Sequence, residues 1–579
     1  MSSEHHVRYE PHEKPPHRLA AALGAQVVAL IVTGILITPL TVARAAGLSA
    51  AETSWVVFAA LLAAGLSTWL QISRIGRIGG GYVLFVGSNV AFVSVTTAAA
   101  EAGGLPLMAT LGTLSALSTF LFTWKLGAMR RLLTPAVGGT VLMLMALAVA
   151  PVMWRMLAKV PPGFETGAVV PSVFLCTVIP VVLVSLFGSG MLRLWAPLIG
   201  VLTGTAVGFP LGLVDTAPVL AAPWIGLPPI AWPGLSLEFG PAFWGLLPAF
   251  ILISLVACLE TYSDSTSVQR TSHRDERPID FRAVQGSINA DGAGSFLAGL
   301  LGTVPNTVYS SSVAVMELTG VAARRVGFWG GLFMLLLAFS PKVAAVVGAI
   351  PSVVAGSFIL ILLALLFGNG LRMVTQAGLN FEEGLAVCLA FFVGIGFQGG
   401  YLFNERLPEW AVMFLSNGST SGGLVAIGLM LLISMRRRSL DRISLPLEPN
   451  SIASIRPVVQ SFSARLGWDE AAENRLMLAC EEAILFLLEQ RAETPAGASD
   501  KRQRVHLRFA VVEGQAEVEL ISAPSDVNVQ AAVAALPDSA GSNPEDELSL
   551  RLLRAMTREI RHLQYHGVDY LLLSVDSRG

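Results

Sequence analysis

Charge is what this sequence is shortest of. Only 13% of its 579 residues are Asp, Glu, Lys or Arg, against about a quarter in soluble domains. The 38 basic and 40 acidic side chains leave a net charge of −2, so there is no basic footprint and no nucleic-acid partner is expected. Cysteine is scarce too. Cys176, Cys258, Cys388 and Cys480 stand alone, with neither a CxxC pair nor metal-ligand spacing, and read as small buried hydrophobes. No nucleophile–base pair, metal cluster or intact nucleotide motif is visible, so an enzyme is not expected and no cofactor or metal is called for. A cleaved leader is not expected either, because MSSEHHVRYEPHEKPPHR is polar and too long before the first apolar run. Residues 1–17 read as a short cytoplasmic tail with a solvated His5-His6 pair.

What the chain has in excess is hydrocarbon. Hydrophobic residues make up 53% of it and the mean hydropathy is +0.65, which points to a polytopic membrane protein. Between residues 18 and 438 the apolar runs are about 17–23 residues long, the length that crosses a ~30 Å core, and number about fourteen. Basic residues alternate along them as the positive-inside rule requires. Expected inner loops hold Arg74 and Arg77; Lys125, Arg130 and Arg131; Arg193; Arg270, Arg274, Arg277 and Arg282; Arg324 and Arg325; Arg372; and Arg436 to Arg438. Expected outer loops hold only Arg44, Arg155, Lys159 and Arg406. Both termini are therefore expected in the cytoplasm and the chain in the cell (inner) membrane.

Composition changes after Arg438. Residues 439–579 are mixed and charged, long enough for one cytoplasmic domain. NRLMLACEEAILFLLEQ and LSLRLLRAMTREI have helical spacing; VHLRFAV, EVELIS and DYLLLSV read as strands. An α/β sandwich with helices over one sheet is expected.

Two apolar runs are not ordinary helices. IGGGYVLFVGSNVAF (78–92) and GTVPNTVYSSSVAVMELTG (302–320) mix Gly, Pro, Ser and Asn at membrane depth. Lipid cannot satisfy irregular backbone, so such segments must be buried in protein or line a polar cavity. They fall in the third and tenth runs, an offset of seven, as two inverted copies of seven spans would give. Kinked helices are the plainer alternative.

LETYSDST (259–266) ends another apolar run with two carboxylates, Glu260 and Asp264, at helical i, i+4 spacing. Ionisable groups in a membrane cost about 2.5–3.5 kcal/mol at a helix centre on insertion scales and usually face a cavity. Two carboxylates a turn apart at low dielectric do not both ionise cheaply. Asp264 could instead cap the helix end near Arg270, and Asp291 in NADGAGS could merely start a helix.

At these residues the chain resembles the nucleobase–ascorbate transporter (xanthine/uracil permease) family over about residues 18–435. LETYSDST matches its eighth span, NADGAGSFLAGLLGTVPNT its ninth, YSSSVAVMELTGVAARR its signature segment and TPAVGGTVLMLMALAVAP its fifth. The resemblance implies a 7+7 inverted repeat with core and gate domains, short antiparallel strands crossing in spans three and ten, and a homodimer. It implies secondary-active, proton-coupled symport of a nucleobase or related planar, purine-like heterocycle. Glu260 would bind substrate, with contacts from Ser88, Asn89, Val90, Tyr309, Ser310, Ser311 and Ser312. Glu260, Asp264 and Asp291 would link transport to protons, and Thr319 and Gly320 would tune selectivity. The signature's usual Gln/Glu/Pro-Asn pair is Ser311-Ser312 here, its Gly is Ala314, and Val27 stands where many members have His. A Ser offers no bidentate amide face, so selectivity is expected to differ. An anion such as sulfate is the alternative cargo, and a transceptor signalling through the C-terminal domain the third reading.

The C-terminal domain resembles a degenerate anti-sigma-factor/histidine-kinase-like ATPase. Glu482 and Ala483 fit that family's helix, but Phe486 and Gln490 replace its Asn and His. Ser522 and Pro524 stand in its Asp-x-Gly segment, and Glu547 and Ser549 replace two glycines. Side chains there keep phosphate away from backbone N–H groups, so nucleotide binding is not expected and a soluble regulatory partner is.

Overall fold

The computed structural model describes residues 7–124, 134–158, 168–230, 232–275, 277–376, 381–402, 407, 415–436, 441–493, 504–512, 515–523, 527–534, 536 and 544–576. Lys125, Arg130, Arg131, Lys159, Arg406, Arg437, Arg438 and Pro524 lie outside them, as do the side chains of Gln490 and Glu547. The chain forms two compact units, Met1–Arg274 with Ala283–Ile433, and Asp275–Arg282 with Ser434–Gly579.

In the first unit the helices run α1 (His17–Ala45), α2 (Ala50–Ile72), α3 (Val93–Trp124), α4 (Pro135–Ala158), α5 (Val169–Phe187), α6 (Ala196–Gly208) and α7 (Pro241–Thr271). They continue with α8 (Phe281–Leu300), α9 (Ser311–Thr319), α10 (Arg324–Ala338), α11 (Pro341–Gly348), α12 (Ser352–Gln376), α13 (Phe381–Gln398) and α14 (Gly418–Arg436). Among the described residues eight are long and apolar enough to cross a membrane alone, and nine if α10 and α11, bent by 78° before Pro341, form one span. Hydrocarbon forces this choice, since a helix satisfies its own backbone. The boundary expected between the third and fourth runs falls inside α3, at Gly103-Gly104, where Gly104 has φ 67°. Only glycine takes that conformation cheaply, so the break is written in the sequence.

Two strands interrupt the helices. β1 (Val86–Ser88) and β2 (Asn306–Val308) pair antiparallel, Val86 with Val308 and Ser88 with Asn306, and all six residues are buried. The ladder gains a step at each end, with Tyr309 N–H donating to Phe85 O at 2.8 Å and Asn89 N–H to Pro305 O at 3.0 Å. Side chains complete it: Val86 N–H donates to Thr68 Oγ1 and Phe85 N–H to Ser312 Oγ. Backbone that lipid would leave unpaired thus finds partners within the protein.

Residues 7–16 form a strap rather than a free end. Arg8 and Tyr9 N–H donate to Gly320 O, Ala322 N–H to Tyr9 O and Arg324 N–H to Pro11 O. Arg274 clamps it, donating to Val7 O, Arg8 O and both oxygens of Glu13 at 2.9 and 2.8 Å. The Arg274 hydrogen bond holds the Glu13 carboxyl below its usual range. A depressed acid stabilises above its unfolded value and loses that contribution as pH falls through its folded one. Arg274→Ala should therefore lower amide protection at Arg8 and Tyr9 about tenfold, and acidification of the wild type through that window should lower the protection factor in the same direction. Unchanged protection in the variant would show that the strap is held otherwise.

The second unit is a five-stranded antiparallel sheet, β3 (Asp441–Pro446), β4 (Arg504–Val512), β5 (Gln515–Ser522), β6 (Glu559–Gln564) and β7 (Asp569–Val575), in the order β3-β4-β5-β7-β6. Helices α15 (Arg456–Leu466), α16 (Glu470–Glu493), α17 (Val529–Ala534) and α18 (Pro544–Met556) accompany it. Its core joins Leu507, Phe509, Val518, Leu520 and Leu573 to Phe462, Leu476, Ile484 and Leu553. The helix expected to run through Thr557-Arg558-Glu559-Ile560 ends at Met556, because Glu559–Gln564 pairs with β7 as a strand. Phe486 is buried in that core.

Candidate functional site

α7 carries two polar stripes, each at i, i+4 spacing. Thr261 and Ser265 meet α8: Thr261 Oγ1 donates to Asp291 Oδ2 at 3.0 Å and Ser265 Oγ to Ser287 Oγ at 3.1 Å. On α8 those partners are also four apart, so two antiparallel helices are zipped by one repeat. Ser295, a further turn along, donates to Asn306 O of β2. This stripe ties the acidic helix to the crossing strands. Its signal was present in LETYSDST and SINADGAGS, as hydroxyls at helical spacing inside apolar runs.

The other stripe, Glu260 and Asp264, turns toward the start of α9. Ser310 Oγ lies 2.8 and 2.9 Å from the two Asp264 oxygens, so its proton is shared between them. Glu260 is half-buried, and no described residue hydrogen-bonds its carboxyl. Asp291 is buried, with Oδ1 unpartnered among the described residues. The three carboxyls lie within electrostatic reach of one another.

Around them the expected contact residues divide. Ser88 Oγ donates to Ile35 O, and Tyr309 Oη donates to Ser88 O at 2.8 Å. Ser312 Oγ takes the Phe85 N–H. These three side chains hold the strands in place. Asn89 Oδ1 accepts from Ala91 N–H while its Nδ2 is buried and unpartnered among the described residues, and half-buried Val90 begins the turn into α3. Ser310 is exposed and Ser311 half-buried at the first turn of α9. Thr319 and Gly320 are not brought to the carboxylates. They close the opposite end of α9, about 12 Å away at 1.5 Å per residue, where Gly320 receives the strap.

Sequence reasoning did not single out Gln71, whose Nε2 donates to Ser287 O, and read Asn306, whose Nδ2 reaches Ser67 Oγ, only as part of the irregular stretch 302–320. Gln71 is a lone amide at the end of an apolar run, the signal that would have found it.

Bonds to charged groups contribute about 1.5–3 kcal/mol. Ser310→Ala should therefore cut initial uptake about tenfold or more while Ser310→Thr retains most of it, read as rates in proteoliposomes. Equal rates for the three proteins would remove the Ser310–Asp264 bond from the transport cycle.

The family model of the xanthine/uracil permeases, a permease family, matches residues 19–404. The chain belongs to that family. A protein of Clostridium perfringens (strain 13 / Type A) assigned as a purine permease is 30% identical over 412 residues, covering 70% of this chain and 88% of that one. The xanthine permease XanP of Escherichia coli (strain K12) is 27% identical over 442 residues, covering 73% and 94%. In structure, the murine Slc26a9 anion transporter in its inward-facing state superposes with a TM-score of 0.51 at 13% identity, over 75% of this chain and 71% of that one. That likeness is one of fold. This permease is thus an integral membrane protein that moves a small molecule and, like its relatives, is not an enzyme.

Proposed function

We propose that this permease is a secondary-active, proton-coupled symporter of a nucleobase or related planar heterocycle, purine-like by preference, working by alternating access. The observation that carries the reading is Glu260: a carboxyl without a hydrogen-bond partner among the described residues, one turn from the Asp264–Ser310 bond beside the strand crossing. Two carboxylate oxygens match adjacent N–H groups of a heterocycle, and a cluster of three acids in one membrane site can pass protons with the cargo. The names of the two relatives support the same class of substrate. Fourteen spans, cytoplasmic termini, an inner-membrane location and a homodimer belong to this reading.

Uptake of labelled xanthine, uracil and sulfate by proteoliposomes under an imposed proton gradient tests it. Heterocycle accumulation that collapses with a protonophore is expected. Gradient-independent uptake would remove the coupling, and sulfate uptake alone would favour the anion reading, which paired carboxylates oppose. Residues 439–579 fit a regulatory role, since Phe486 fills the core where nucleotide chemistry would need an Asn. Removing the chain after Arg438 should alter transport or recruitment of a soluble protein; transport and assembly both unchanged would end that proposal.

A further inference from the structure

A groove of about 960 Å³ runs beside the start of α1, between the strap and the end of α9. Its wall is apolar: Leu19 and Leu23 from the first turns of α1, with Leu318 and Val321 facing them. Leu19 is 38% and Leu318 49% exposed, so the wall is open. Its mouth is cationic. Arg274 lines it but is engaged by Glu13 and strap carbonyls. Arg8 is different, because its backbone N–H is bound to Gly320 O while its side chain is exposed, with no partner among the described residues. Lys14 and Arg18 are exposed on the same flank. Two of the acids nearby are engaged, Glu13 by Arg274, and Glu10 by the Arg274 N–H, with His273 3.5 Å away; Glu317, exposed beside Leu318, is the acid that Arg8, Lys14 and Arg18 outweigh.

The level of the groove is marked by aromatics. His17 meets Trp329 edge-on at 6.1 Å, and Trp69 stacks on Phe328 at 5.6 Å. Trp collects where hydrocarbon meets headgroups, and at such a level exposed leucines suit acyl chains and arginines suit phosphates. A juxtamembrane basic segment attracts acidic lipid. An apolar wall beside a cationic rim suits an anionic amphiphile.

We propose that this groove is a binding site for an anionic phospholipid of the surrounding bilayer, its phosphate held by Arg8 and one acyl chain lying along Leu19, Leu23 and Leu318. The site is independent of what the permease carries. A lipid there bridges the strap, α1 and the end of α9, and stabilises the folded permease by mass action.

The test uses the full chain, purified and stripped of lipid, with its melting temperature followed against added phosphatidylglycerol, phosphatidylcholine or glycerol 3-phosphate. Bound lipid is counted by native mass spectrometry. Phosphatidylglycerol is expected to raise the melting temperature and leave a retained lipid, while the other two do neither. Arg8→Gln, which keeps the strap's backbone bonds, should lose at least half of that increment. Lys14→Gln, which removes the same charge from outside the groove, should keep it. Equal loss in both variants would reduce the effect to diffuse attraction and overturn the site. An equal response to phosphatidylcholine would overturn it too, as would one reproduced by glycerol 3-phosphate, the mark of a soluble anion. An increment that follows protein concentration would assign the groove to a second copy instead.

Discussion

Glu260→Gln should abolish concentrative uptake while leaving a folded, monodisperse protein. The carboxyl has no described protein partner to lose, so removing its charge disturbs no internal bond. In the proposed function, what it removes lies on the substrate side. Two hydrogen bonds from heterocycle N–H groups to a carboxylate are each of the charge-assisted kind, about 1.5–3 kcal/mol, so substrate affinity should fall by about a hundredfold or more. The amide presents one donor where an acceptor stood, and a desolvated mismatch of that sort discriminates strongly. Glu260→Asp keeps the charge but withdraws it by a methylene, so weak transport with a raised KM is expected. Uptake assays and ligand-induced thermal shifts on the three proteins would decide it. Wild-type accumulation by the Gln variant would place the substrate elsewhere.

Gly299→Val should have the largest effect on folding. A Cβ at Gly299 would stand 2.4 Å from Thr113 N and 2.6 Å from Gly112 C. Both are backbone atoms of α3, so no rotamer change makes room and the two helices must separate. Small residues at such crossings let membrane helices approach closely. Overpacking costs about 1–3 kcal/mol, occasionally more, and a backbone-lined contact belongs at the upper end. α8 also carries Asp291, Ser287 and Ser295, so the displacement should take the acidic zipper with it. Gly112→Ala is the milder partner, with 3.1 Å to Gly299 Cα. The Val variant is expected to lose most of its purified yield and transport, the Ala variant much less; equal melting temperatures for both would contradict the packing argument.

How far the sequence could be read depended on whether a feature is local. Length and apolarity located the long spans, because lipid leaves the backbone few options. Gly, Pro and Asn at 78–92 and 302–308 announced irregular backbone that needs protein partners, and the family resemblance supplied the expectation that it forms strands. The i, i+4 pair at Glu260 and Asp264 announced the acidic helix. Long-range contacts were not legible. Nothing in MSSEHHVRYEPHEKPPHR says that Arg274, more than 250 positions away, grips Val7 and Glu13. Nor did the sequence tell that the Ser312 hydroxyl takes the Phe85 N–H across the ladder. In the C-terminal unit β3 and β6 went unread. DRISLP is too mixed to show alternation, and EIRHLQ follows a helix with no breaker between.

The pairing of β1 with β2 also bears on how the chain is made. Tyr309 bonds to Ser88 O across 221 positions. At about 5–20 residues per second of synthesis, the first strand waits on the order of ten to forty seconds for its mate. Throughout that interval Phe85 to Ser88 expose amides that hydrocarbon cannot solvate. The early half must therefore be kept wet, or chaperoned by the insertion machinery, until residue 309 arrives. Defects in biogenesis should concentrate in variants that delay the second half, rather than in those that weaken the first.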